Sequence, residues 1–290
     1  MGGGKVGARR GRRAVAQYLR AQVDTLTDLV DAVRADEPDA VHRMRVATRR
    51  LRSALATFGP LLEPVDQLRD DARWLGRRLG AVRDAEVMAA RLADHASGLG
   101  DDDAVAALAG MLEERHRTAH AELVEALDSP RAGDLTRALD RFRAGPPIVP
   151  GASGKDLRRR VRKDHRRVVR RLEAALAEDD PAVRDPLLHE ARKAAKRLRY
   201  AAEAVTPAVG KPAVRLAAAA EELQEVLGEH QDAVTARGLL EGLRPAATEP
   251  ETWLHARLAL VERDLADRAE ARVPRARLRL GRARVRAWLG

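Results

Sequence analysis

The sequence predicts an all-α fold. Apolar residues recur at helical spacing along almost every segment, and no stretch shows period-two alternation bounded by turn residues. Ala, Leu, Arg and Glu dominate while aromatics are only 2% of the 290 residues, a mix that favours helices over strands. Proline and capping residues fall at intervals suited to helices of ordinary length.

Taken in order, the first helix runs from about residue 10 to Asp36, with Val15, Leu19, Leu26, Leu29, Val30 and Val33 on one face, behind a loose basic tail. Glu37-Pro38-Asp39 opens a second helix that reaches Phe58, where Gly59-Pro60 stops it. Pro64 sits near the start of a third, ending about Ala96. Asp101 to Asp103 begin a fourth, and Ser129-Pro130 supply the cap and first turn of a fifth. The Gly145-Pro146-Pro147-Ile148-Val149-Pro150-Gly151 run is the strongest break. Helices resume near Asp156, Pro186, Pro212, Pro250 and Pro274.

That break separates an N-terminal half, 1–144, from a C-terminal half, 156–290, with 145–155 as a Gly/Pro linker. The halves are related. His42-Arg43-Met44-Arg45-Val46-Ala47-Thr48-Arg49-Arg50-Leu51-Arg52 aligns with His189-Glu190-Ala191-Arg192-Lys193-Ala194-Ala195-Lys196-Arg197-Leu198-Arg199. Leu79-Gly80 and Asp84-Ala85 align with Leu227-Gly228 and Asp232-Ala233 at nearly the same offset. The repeat implies an internal duplication, each half a bundle of four or five helices.

Composition narrows the function. Cysteine is absent, which excludes disulfides and thiolate metal sites and accords with a reducing cytosol. The formal charge is +10, and only six of 54 basic residues are Lys, so the positive charge is nearly all guanidinium, the better bidentate partner for phosphate. Such a chain attracts polyanions, whether nucleic acid, phosphate polymer or anionic lipid. No apolar run is long enough to span a membrane. The N-terminus lacks a secretory apolar stretch, and Val6 breaks the myristoylation pattern. A soluble cytoplasmic protein is expected.

On a helical wheel His42, Arg45, Arg49 and Arg52 form one stripe, opposite Met44, Ala47, Leu51, Leu55 and Phe58. His189, Arg192, Lys196 and Arg199 form its copy, opposite Ala191, Ala194, Leu198, Ala202 and Val205. Solvated helix faces usually intersperse acids with bases, because like charges at i,i+4 repel. Neither stripe contains an acid, so each is built to meet an anion.

The doubled pattern His-x-x-Arg-(Val/Lys)-Ala-x-(Arg/Lys)-Arg-Leu-Arg, followed by Leu-Gly-x-x-x-Asp-Ala, resembles the CHAD family, the conserved histidine α-helical domain. The resemblance covers about residues 10–288. It implies two four-helix bundles related by pseudo-twofold symmetry, and a basic cavity or groove that binds inorganic polyphosphate. It also implies association with polyphosphate granules. The eight stripe residues are the binding candidates carried over. Basic residues on the first helix of each half are implied as well: Lys163, Arg166 and Arg170 in the second, Arg13 and Arg20 in the first. Arg73 and Arg77 on the third helix add to these, whereas the second half carries Glu221, Glu222 and Glu225 nearby, an asymmetry between the halves.

Other constellations are weaker. His116 and His120 are four apart with Glu113 one turn earlier, which is metal-ligand spacing. No third ligand is evident, Arg115 and Arg117 adjoin, and an ordinary partly exposed helix is the reading. Asp84 and Asp232 are expected to anchor basic residues. No phosphate loop, nucleophile elbow or His-Glu-x-x-His is present, and no cofactor is expected. The Glu-x-Glu-x-Lys of the triphosphate-tunnel enzyme that can accompany CHAD domains is also missing, and the chain leaves no room for that domain. The sequence therefore predicts a binding protein, not an enzyme. The rival partner is nucleic acid, bound through its backbone, although aromatic stacking platforms are few.

Overall fold

The computed structural model describes residues 2–99, 101–149 and 152–290, with side chains from Arg9 onward. Helices fill it: α1 (Gly2–Asp28), α2 (Val30–Arg34), α3 (Ala40–Phe58), α4 (Asp66–Ala96), α5 (Asp102–Leu127) and α6 (Pro130–Ala144) form the first half. The second half holds α7 (Gly154–Leu176), α8 (Pro181–Val209), α9 (Lys211–Leu243), α10 (Glu249–Gly281) and α11 (Ala283–Arg286). Among the described residues there is no strand, only an isolated bridge between Leu62 and Ile148.

Local chemistry sets most boundaries where the sequence puts them. Asp101 caps α5 by accepting from the amides of Asp103 and Ala104, and Ser129 caps α6 at Ala132. Helix α7 starts two residues before Asp156, because Ser153 is the cap and Asp156 closes a capping box with it. Pro186 and Pro274 do not begin helices. Pro186 lies in the second turn of α8, which Asp180 caps ahead of Pro181, and Pro274 lies within α10. The expected first helix is interrupted at Leu29 and ends at Arg34, where Asp36 and Asp39 adopt left-handed conformations (φ +50° and +64°) that aspartate tolerates. Nor is the N-terminal segment loose: with no proline or cap to stop it, α1 extends back to Gly2.

The apolar faces read from the sequence are the core. Met44, Ala47, Leu51, Leu55 and Phe58 on α3, with Ala191, Ala194, Leu198, Ala202 and Val205 on α8, are all buried. They belong to one continuous cluster running from Val15 on α1 to Leu289 near the C-terminus, so the halves share a single core. Helix α1 packs on α3 and on α8 of the other half, and α3 packs directly on α8. A smaller cluster, including Met88, Leu92, Leu108 and Leu258, joins α4 and α5 to α9 and α10.

A shared core makes one cooperative unit. Leu51→Asp and Leu198→Asp, each placing a carboxylate at a site with 0% exposure, should each cost at least about 3 kcal/mol. Urea unfolding followed by circular dichroism should show one transition for the intact chain, shifted as a whole by either change. Two separate transitions would contradict the shared core.

Candidate functional site

Because α3 and α8 bury their apolar faces together, their basic faces meet across a common space. A cavity of about 490 Å³ opens there, bounded also by α4 and α9. From the first half come Arg45, Arg49, Arg52 and Arg73, and from the second His189, Arg192 and Lys196. Both stripes thus face one cavity. Its lining contains no Phe, Tyr or Trp among the described residues.

The cations are of two kinds. Arg45 is paired with Asp84 at 2.9 Å and Arg192 with Asp232 at 3.3 Å, the same arrangement in each half. Each guanidinium lies near a repeated glycine: a Cβ on Gly228 would crowd Arg192, 3.3 Å from an Nη, whereas one on Gly80 would be in ordinary contact, 4.0 Å from an Arg45 Nη. Arg192 uses the room that Gly228 leaves, and each guanidinium reaches the aspartate one turn later. The Leu-Gly-x-x-x-Asp repeat is therefore a cradle for arginine. Among the described residues no carboxylate pairs with Arg49, Arg52 or Lys196. Arg49 instead donates to the Tyr200 hydroxyl at 2.9 Å, and the Arg192 Nε is buried without a partner.

Crowding shows in the titration. Burial first, then the charges of Arg192, Arg49 and Arg45, lowers the Lys196 ammonium from 10.5 to about 6. Burial, with Arg73 and Arg77 close by, likewise lowers Arg52. His189 is lowered by burial and by Lys193 and Arg192, against the raising effect of its 2.6 Å hydrogen bond with Gln231. His42 stands outside the cavity lining, where burial and Arg83 push its pKa down. At neutral pH these histidines favour the uncharged imidazole.

Several predicted residues lie elsewhere. Arg199 is held by Glu203 and Glu221, both at 2.8 Å, and stacks over Tyr200. Of the three acids noted in the second half, Glu221 reaches this counterpart of Arg52, while Glu222 pairs with Arg279. Arg166 and Arg170 line a different groove between α7 and α10, while Lys163 is exposed outside both spaces. Arg13 is exposed, and Arg20 donates to the Arg143 carbonyl at 3.1 Å. Arg77 is exposed beside Arg52. The cavity adds Arg69, Lys193 and Arg197, which sequence reasoning left out. The wheel carried the signal for two of them: measured from His189, Lys193 and Arg197 lie at about 40° and 80°, no further than Arg199 on the other side.

The profile described as "CHAD domain" matches residues 17–241. The chain belongs to the CHAD family. CHAD domains are associated with polyphosphate binding and are in general binding rather than catalytic domains. Two uncharacterised proteins of Mycobacterium tuberculosis, from strains CDC 1551 / Oshkosh and H37Rv, are each 33% identical over 93% of this chain. The chain spans about half the length of these curated relatives, 53% of each. The structure is similar to the CHAD domain from the plant Ricinus communis (TM-score 0.66, 27% identity, 96% of this chain and 90% of that one). It also shares the fold of PptA from Streptomyces chartreusis (TM-score 0.75, 24% identity, 91% and 98% covered). No described helix is long and apolar enough to cross a membrane.

The lysine has a thermodynamic signature. Its folded pKa of about 6 lies below its ordinary 10.5. Between those values the unfolded chain holds a proton that the folded CHAD domain lacks, so this residue's contribution to stability falls as pH falls towards 6 and stays low below it. Lys196→Met removes that dependence. Its stability gain over the parent, measured by urea unfolding, should be larger at pH 6 than at pH 9.5; a gain independent of pH would contradict the depressed pKa.

Proposed function

We propose that this CHAD domain binds inorganic polyphosphate in the α3/α8 cavity, gripping one polymer strand from both halves, and does not hydrolyse it. The carrying observation is that Arg49, Arg52 and Lys196 meet in one cavity without carboxylate partners. Arg49 and Arg52 are unpaired cations, costly side by side unless an anion joins them, and the same crowding pushes the Lys196 amine towards its neutral form. On this reading Arg45, Arg49, Arg52, Arg73, Arg192 and Lys196 carry the site, with Arg69, Lys193 and Arg197 beside them. His189 contributes a neutral imidazole that can hydrogen-bond a phosphate oxygen, and His42 with Arg77 extends the basic surface beyond the cavity. Arg199, taken up by Glu203 and Glu221, is left outside the site with Arg13, Arg20, Lys163, Arg166 and Arg170. Residence at polyphosphate granules in the cytoplasm follows as part of the proposal.

Nucleic acid is the poorer fit. A space of 490 Å³ is the size of a small-molecule cleft and does not admit a duplex. A single strand would find no aromatic platform in the lining on which to stack its bases. A phosphate polymer asks only for cations and donors along a narrow path.

Titration calorimetry with long-chain polyphosphate should give binding far tighter than orthophosphate and resistant to competing DNA at matched charge. Arg49→Glu with Arg52→Glu should weaken it by at least about 100-fold, since each loses a charge-assisted contact, while helicity is kept. These two are the informative positions, because reversing Arg45 or Arg192 also sets a new carboxylate against Asp84 or Asp232. Equal affinity for DNA, or unchanged affinity in the double variant, would overturn the site; orthophosphate release by the pure parent and not by the variant would overturn the non-enzymatic reading.

Binding should also take up protons. A polyanion beside Lys196 raises its pKa, so at pH 8 the amine enters the complex as ammonium. Calorimetry in buffers of different ionisation enthalpy should report uptake of up to about one proton, lost in Lys196→Met. Uptake that persists in the variant would assign the proton to another group.

A further inference from the structure

Away from the cavity, on the opposite side of α4, the turn after α2 meets α4 and α5. The His116 ring on α5 places its Nε2 3.0 Å from an Asp36 carboxylate oxygen. Glu86 on α4 joins them: one oxygen of each carboxylate and one nitrogen of His116 lie within 4.8 Å of one another. His120 stacks on His116, with ring centroids 6.2 Å apart and planes at 17°, while its own Nε2 is held at 2.8 Å by the Val33 carbonyl. His116 thus directs Nε2 at Asp36 beside the stacked His120 ring.

We propose that Asp36, Glu86 and His116 bind a divalent transition-metal ion, with the remaining coordination positions taken by water. Two carboxylates neutralise a dication, and one imidazole favours a transition metal over calcium or magnesium. The three groups come from three separate elements, so the ion ties the α2–α3 turn to the α4/α5 pair. Tetrahedral ligation at about 2.1 Å requires ligand atoms about 3.4 Å apart. The present separations need only small side-chain adjustments to reach that.

The sequence argued against such a site on two grounds, and the structure removes both. The missing ligands are Asp36 and Glu86, distant in sequence, and the exposed Glu113 of the spacing motif is not among them. Of the adjoining arginines, Arg117 pairs with Glu114 and Arg115 lines a separate groove with Thr118 and Ala119. A competing cation is Arg83, which holds Glu86 Oε2 at 2.8 Å. Arg83 occupies Oε2, and the Glu86 carboxylate has a second oxygen, Oε1, to offer an ion.

The test uses the full chain stripped with a chelator and titrated calorimetrically with Zn²⁺ in a phosphate-free buffer. One equivalent should bind and raise the unfolding temperature by linkage. Asp36→Asn keeps a residue that accepts the left-handed turn, and His116→Gln keeps a donor towards Asp36. Each should weaken Zn²⁺ binding by at least about tenfold and abolish the thermal shift. His42→Gln with His189→Gln should change neither. Should either single variant unfold, Glu86→Gln provides the same readout from α4. Failure of the parent to take up Zn²⁺ overturns the site. So does uptake that survives Asp36→Asn and His116→Gln, or that is lost in the His42/His189 pair instead.

Discussion

The packing of α3 against α8 is the constraint on which the rest of the molecule depends. Each helix has an apolar face and a cationic face, and burying both apolar faces in one core sets the two cationic faces across a shared space. The seam is locked by polar groups that belong to both halves. Arg197 on α8 reaches over to the Thr57 hydroxyl and the Ala56 carbonyl of α3, and binds the buried Asp164 of α7. Arg50 on α3 makes the reverse crossing to Glu203 of α8, which also accepts from Tyr18 of α1. These are the same position in the two copies of the motif, so one arginine from each repeat is spent on joining the halves. The buried Tyr200 ring lies under Arg49, Arg50 and Arg199, each 5.6–5.9 Å from its centroid, a distance at which ring and cation attract.

Holding so many cations in one place calls for a division of labour. Full pairing would leave nothing for a ligand, and no pairing would push the side chains apart or strip their protons. The structure takes both courses at different positions. Arg45 and Arg192 are seated over glycines and tethered by aspartates, which limits their rotamer freedom before any ligand arrives. Lys196, without such a partner, gives up its proton. Arginine cannot make that concession at any ordinary pH, and the single lysine of the stripes stands where the crowding is densest.

Much of this was legible in the residues. Periodicity identified the core faces of α3 and α8, and the duplication identified the two stripes, because each signal is carried within a single helix. The anchoring of arginines by Asp84 and Asp232 was also readable, since the aspartates recur in step with the stripes. What could not be read was which way the edges of a stripe turn once helices pack. Arg52 and Arg199 are equivalent by alignment, yet one faces the cavity and the other faces Glu203 and Glu221. Arg166 and Arg170 carry the right charge on a suitable helix but look into a different groove. Pro186 and Pro274 misled because proline in the first turns of a helix, or in a long helix held by its neighbours, is tolerated where an isolated helix would end.

The difference between Arg52 and Arg199 makes the two aligned stripes unlike: Arg52 lines the cavity and Arg199 does not. Around Arg52 the charge continues outward through Arg69, Arg73 and Arg77, with carboxylates only at the rim, where Asp66 and Asp70 pair with Arg69 and Arg73. Around Arg199 the helix face is closed by Glu203 and Glu221, and Glu222 alongside is taken by Arg279. An anionic strand seated on Lys196, Arg49 and Arg192 therefore finds further cations beside Arg52, at Arg73 and Arg69. On the proposed reading the polymer leaves the cavity past Arg52 and α4. The two stripes match in sequence, and the acids on α8 and α9 leave them unequal in the folded chain, because they occupy Arg199 where Arg52 stays without a carboxylate partner among the described residues.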